Sequence, residues 1–157
     1  MAHVELSLIG PDTHGPVTRR GLPDLELATN LDRWVASVMA AQEPSLIVDT
    51  GAVILAASAS CCALLGLGHP LATVGRPLAP HGLLRLLDFT ADKQDLPIAE
   101  VQKIPPLLAL TAGCLARGLI RVQSGPEPGR IRTVDAIATP LWDGGKQVAA
   151  LSFFAEV

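Results

Sequence analysis

The chain has no tyrosine, and aromatic residues make up only 3% of its 157 residues. So few rings leave no material for a surface that stacks on nucleic-acid bases. Cysteine is scarce as well. There are three, two of them adjacent at Cys61 and Cys62, and an odd number without spacing builds no disulfide framework. Free thiols in this number point to a reducing, cytoplasmic setting. Charged residues reach only 17% with a formal net charge of -3, so no excess of cations is available for nucleic-acid phosphates. Although 49% of residues are hydrophobic, Pro, Gly or a charge interrupts each apolar run before the ~20 residues that cross a bilayer. The segment from Met1 to Pro16 lacks the basic start and apolar centre of a secretion signal. Neither metal-ligand spacing nor a nucleophile–base–acid motif is visible. These absences argue against an enzyme, a membrane protein and a nucleic-acid binder.

What the chain does contain is concentrated between Glu43 and Gly66. Ser45–Val48 and Val53–Ala57 read as two short apolar strands, and Asp49-Thr50-Gly51 supplies the turn of a hairpin. Ser58 is placed to cap a helix that carries Cys61, Cys62, Leu64 and Leu65, and Gly66 is placed to end it in the left-handed conformation. Hairpin, cap, short helix and glycine stop, in that order, resemble the opening of a PAS domain. Gly75-Arg76-Pro77-Leu78 follows at the distance usual in that family. Three closing strands, Leu119–Gln123, Arg130–Trp142 and Gln147–Glu156, complete the resemblance over roughly residues 43–157, with Asp143-Gly144-Gly145 as the last hairpin turn.

The resemblance implies an α+β fold: a five-stranded antiparallel sheet with helices on one face and an N-terminal flanking helix. Residues 1–23 read as a loose arm, 24–43 as an amphipathic helix ended by Pro44, and 44–157 as the PAS-like domain. Between the two groups of strands, His81 to Phe89 reads as a short helix and Pro97 to Leu115 as a longer one, with Pro106 tolerable in a first turn. In the helix over 24–43, Leu27, Leu31, Trp34, Val38 and Ala41 keep heptad spacing. Leu31, Val35 and Met39 form a second stripe. The expectation is that one stripe packs on the domain and the other on a second copy, with these five heptad residues as the dimer interface. The last strand is apolar on both faces, so its outer face needs a cover, from the same helix or from another copy.

A PAS resemblance implies sensing or connection rather than catalysis, but fold alone assigns no ligand. Flavin-type light sensors of the family carry a reactive Cys in Gly-Arg-Asn-Cys, where this chain has Pro77 and Leu78. Haem-binding members take an axial His from the long helix before the third strand, and no His follows His81 here. Neither haem nor flavin is therefore expected. His69 and His81 read as surface or capping residues, and Asp49 and Asp143 as turn residues. Cys61 and Cys62 read mainly as core residues, with at most one facing the core squarely. A pocket for a small apolar ligand would be lined by Leu64, Leu65, Leu86, Leu108, Ala112, Ile137 and Ser152; a fully packed core is the alternative. The functional expectation is a cytoplasmic sensory or regulatory module in signal transduction. It would be homodimeric, would bind a small apolar ligand or a separate signalling protein, and would touch neither nucleic acid nor membrane. The rivals are a pure dimerisation scaffold and, further off, a thiol redox switch or small enzyme.

Overall fold

The computed structural model describes residues 29–125 and 129–157. The arm over 1–23, Leu27 and the start of the expected first helix lie outside these residues. Six strands, β1 (Ser45–Asp49), β2 (Ile54–Ala57), β3 (Leu86–Leu87), β4 (Ala116–Ser124), β5 (Arg130–Asp143) and β6 (Lys146–Glu156), form one sheet in the order β2-β1-β6-β5-β4-β3. All neighbours are antiparallel. The chain returns from the far edge to the centre, so the first hairpin lies beside the last strand. Ser152 on β6 stands opposite both Leu46 on β1 and Ala138 on β5.

The first hairpin turns as expected, by a slightly different device. Asp49 Oδ1 accepts from the amides of Gly51 and Val53, and the positive φ falls on Ala52 rather than on Gly51. The last hairpin closes on Gly144-Gly145, both left-handed, between the pair Asp143 and Lys146. Two consecutive positive φ values suit the right-handed twist of the flanking strands.

Helix α2 (Ala59–Leu65) is capped by Ser58 Oγ, which accepts from the Cys61 amide, and ends at left-handed Gly66. The same hydroxyl accepts from the Ser45 amide and donates to the Glu43 carbonyl, while Ser60 Oγ holds the Gln42 carbonyl. These serines fix the path of the chain into β1. Helix α1 (Asn30–Met39) therefore stops short of Pro44. Its start is set by a capping box: Thr29 Oγ1 accepts from the Asp32 amide, and Asp32 accepts from the Thr29 amide.

Two expected helices are corrected. His81 to Phe89 is not a helix. His81 has φ 57°, the amides of Leu83 and Leu84 bond back to the carbonyls of Pro77 and Leu78, and Leu86–Leu87 forms the sixth strand against Val122 and Arg121. The segment 97–115 divides into α4 (Ile98–Val101) and α5 (Pro105–Ala112). Ile104 precedes a proline, which disfavours the helical conformation, and it is extended at ψ 147°. Left-handed Gly113 then ends α5. A further short helix, α3 (Pro70–Thr73), begins at His69, whose Nδ1 accepts from the Leu71 amide.

The main core lies on the inner face of the sheet, under α2, α4 and α5. On the outer face a smaller cluster joins α1, through Leu31, Val35, Val38 and Met39, to Ile47, Ala56, Leu141, Ala149 and Leu151. The cover for the β1–β6 part of that face thus comes from the same chain.

Candidate functional site

Where α5 crosses β4, β5 and β6, the inner face is built mostly from small residues, with Phe154 the one large side chain in the two rows. Ala116, Ala138 and Ser152 stand in one row, and Gly118, Ala136 and Phe154 in the next. Large side chains here would hold a helix away, whereas these let α5 settle across the three strands. A Cβ on Gly118 would sit 3.7 Å from the ring of Pro105 at the start of α5.

One polar group does not fit this apolar packing. The Ser152 side chain is fully buried, and its Oγ has no hydrogen-bond partner. A hydroxyl taken from water without a partner costs of order 1–3 kcal/mol. Beside the core runs a groove of about 440 Å³ between residues 79–86 and 95–101. Its inner wall is made by Leu84, Leu86 and Val101, which belong to the core, and its rim by His81, Arg85 and Asp95. Arg85 pairs with Asp95 at 3.2 Å.

Of the expected pocket residues, Leu64, Leu65, Leu86 and Ser152 lie in the inner core. The other three do not join them. Leu108 and Ala112 are exposed on α5, which turns Pro105, Pro106, Leu107 and Ala109 inwards instead. Seven of the eight α5 residues are apolar or proline, so no amphipathic pattern marks the inward side. Ile137 lies on the outer face opposite Phe153, because side chains alternate along β5.

The expected dimer seam is likewise divided. Leu31 and Val38 pack on the chain's own sheet, Ala41 is half-buried beyond the helix end, and Trp34 is exposed. The uncovered part of the outer face shows Leu119, Ile131 and Phe153, with half-buried Ile137 between them. At its centre Arg117 grips Asp135 through two hydrogen bonds, of 2.6 and 3.2 Å. That bond holds the Asp135 carboxyl below the usual carboxylate range.

Cys61 and Cys62 are both buried in the inner core, as core residues are. Burial pushes both thiols up, away from the thiolate that redox chemistry needs. Gly75-Arg76-Pro77-Leu78 runs beside β2: the Gly75 amide bonds to Ile54, the Ile54 amide to Arg76, and the Leu78 amide to Ala52. Leu78 itself is a core residue. Among the described residues no group of His, Cys, Asp and Glu could hold a metal ion, and no helix is long and apolar enough to cross a membrane.

Solved structures share this arrangement. A PAS domain from Colwellia psychrerythraea superposes with a TM-score of 0.55 at 16% identity, over 81% of this chain and 96% of that one. The fold is that of a PAS domain. A light-oxygen-voltage domain studied with a flavin analogue gives 0.55 at 20% identity, over 80% and 84% of the two chains. The PAS domain of a LuxR-family transcriptional regulator from Burkholderia thailandensis, in complex with ethanol, gives 0.50 at 12% identity, over 78% and 95%. No protein-family model and no curated protein matches the sequence. The PAS fold is therefore carried by geometry, and six strands rather than five is a small departure from the expected sheet.

Proposed function

We propose that the chain is a PAS-type sensory or regulatory module. Its core takes a small, mainly apolar molecule with one hydrogen-bonding group, held by Ser152. The carrying observation is the Ser152 hydroxyl, buried and without a partner on an otherwise apolar inner face. A ligand alcohol or carbonyl would satisfy it, and the small residues around it leave α5 as the element that a ligand would displace. The ethanol complex of a structural neighbour is a precedent for a small ligand in this fold. Binding to the folded state alone raises stability by about 2.7 kcal/mol at a hundred times Kd, or roughly 5–10 °C for a domain of this size.

The test is a thermal-shift screen of short-chain alcohols, ketones and aldehydes, with native and denaturing mass spectrometry of the purified protein. A shift in the parent that is lost in Ser152→Ala supports the reading. The absence of any shift and of any co-purified molecule overturns it.

A second reading, a dimerisation scaffold with a closed core, draws on a different observation. The uncovered outer face is apolar around a balanced Arg117–Asp135 pair, a surface that can meet its own copy about a two-fold axis. The two readings part at the core, which admits a ligand in the first and stays closed in the second.

A further inference from the structure

The two helical layers lie on opposite faces of the sheet, and the β5–β6 hairpin end touches both. On the inner side, Gln147 Nε2 donates to the carbonyls of Leu110 and Ala109, at 3.1 and 3.4 Å, in the last turns of α5. Trp142 stands opposite Gln147 in the ladder. A Cβ on Gly113, the residue that ends α5, would lie 3.6 Å from Gln147 and 4.0 Å from the Trp142 ring. On the outer side, the residues next to these two belong to the α1 cluster: Leu141 is part of it and Val148 packs against it. Trp142 also faces Asn30, Arg33, Trp34 and Ser37 of α1 across a groove of about 370 Å³.

The ladder shifts register between Leu141 and Trp142. Such a bulge re-aims a side chain: here Val148 and its neighbour Ala149 both join the α1 cluster, and Gln147 turns to α5 on the same side as its partner Trp142. We infer that Gln147 and Trp142 form the relay between α5 and α1. When α5 is displaced from the small-residue rows, Gln147 loses its two carbonyls, Trp142 moves with the end of α5, and the adjoining Leu141 and Val148 alter the seat of α1. This names the regulation of the site proposed above and rests on that reading for its input, but the relay itself operates in the unliganded protein. Physical coupling requires an element whose arrangement both sides bias, and that bias is what the experiment reads.

The experiment is hydrogen-exchange mass spectrometry on the full chain, comparing the parent with Gln147→Met, which keeps the length of the side chain and removes its N–H groups. Exchange at the end of α5 should quicken about fivefold, as for the loss of one net hydrogen bond, and exchange in α1 should quicken with it. Because the chain has two tryptophans and no tyrosine, the Trp34→Phe background leaves Trp142 as the dominant emitter. Its emission should shift when Gln147→Met is added. Faster exchange in α5 with α1 and Trp142 emission unchanged would overturn the relay, as would no change in α5. If Gln147→Met does not fold, Trp142→Phe, which shortens the contact without touching the hydrogen bonds, should still change α1 exchange; unchanged α1 exchange would again overturn it. No step uses a ligand, so an empty ligand screen and a failed relay are separate results.

Discussion

The two faces of the sheet are closed to different degrees, and β5 shows it residue by residue. Val134, Ala136 and Ala138 point inwards and are 0–1% exposed. Thr133, Asp135, Ile137 and Thr139 alternate with them and are only half-buried. Composition alone does not explain this, since Ile137 is more apolar than either alanine. Coverage does. The inner face carries several short helices that approach closely over small residues. The outer face has one described helix of 10 residues, about 15 Å long and 10 Å wide, on a sheet whose six strands span about 24 Å. Such a helix covers about two strands, and β4 with most of β5 remains open. The inner face is thus where the fold holds its stability, whereas the outer face holds capacity for contact.

The largest effect expected from this contrast is in stability. Leu65 is fully buried on the inner side, while Phe153 is 43% exposed on the outer side. Leu65→Ala should cost about 2–5 kcal/mol through lost transfer energy and a residual cavity. Phe153→Ala, although it removes a larger side chain, should cost less than about 1 kcal/mol in the monomer. Urea denaturation of both variants measures the difference. Equal losses would show that the outer face is as closed as the inner one.

A smaller effect concerns association. Trp34 and Phe153 are the large exposed rings on the outer side of α1 and β6. Replacing both with Glu should leave the fold intact and move the protein towards monomer in sedimentation equilibrium at tens of micromolar. A monomeric parent, or a variant that associates as well as the parent, removes self-association from the outer face. Leu31, by contrast, packs on its own sheet, so Leu31→Glu should appear as lost stability.

What was legible in the sequence follows the same division. Local chemistry announced itself: Ser58 and Gly66 mark the ends of α2 by cap and left-handed stop, and paired glycines mark the last hairpin. The face of α5 did not, because a helix written PPLLALTA has no polar side to betray its orientation. The two-residue strand β3 was hidden because Leu86–Leu87 is specified by a partner, Val122 and Arg121, far along the chain. Ser152 was legible as a small polar residue of the interior, but its lack of a partner needed the fold. The two-residue turn at Gly144-Gly145 places Trp142 opposite Gln147, but their position at the end of α5 depends on a helix far back in the chain and needed the fold.

The smallest expected effect is a dependence on acid. Arg117 holds the Asp135 carboxyl below its usual range, and hydrogen bonds from Thr29 and Thr90 do the same for Asp32 and Asp88. A carboxyl whose pKa is lower in the folded than in the unfolded chain favours folding when ionised. Its contribution is complete above the unfolded value of about 3.9 and is lost as the pH falls through the folded value. The urea midpoint should therefore hold steady above about pH 5 and decline below about pH 4, and Asp135→Asn should make that decline shallower. All three groups meet water, so the drop should be slight and should shrink in added salt. Salt also distinguishes the open outer face from a covered one. In a free monomer the Arg117–Asp135 pair stands in solvent and is screened. If a second copy covers that face, the pair is shielded from ions, and the Asp135 share of the decline should persist at high salt and at high protein concentration while disappearing on dilution. A salt response of Asp135→Asn minus parent that is the same at both concentrations would leave the outer face open to water.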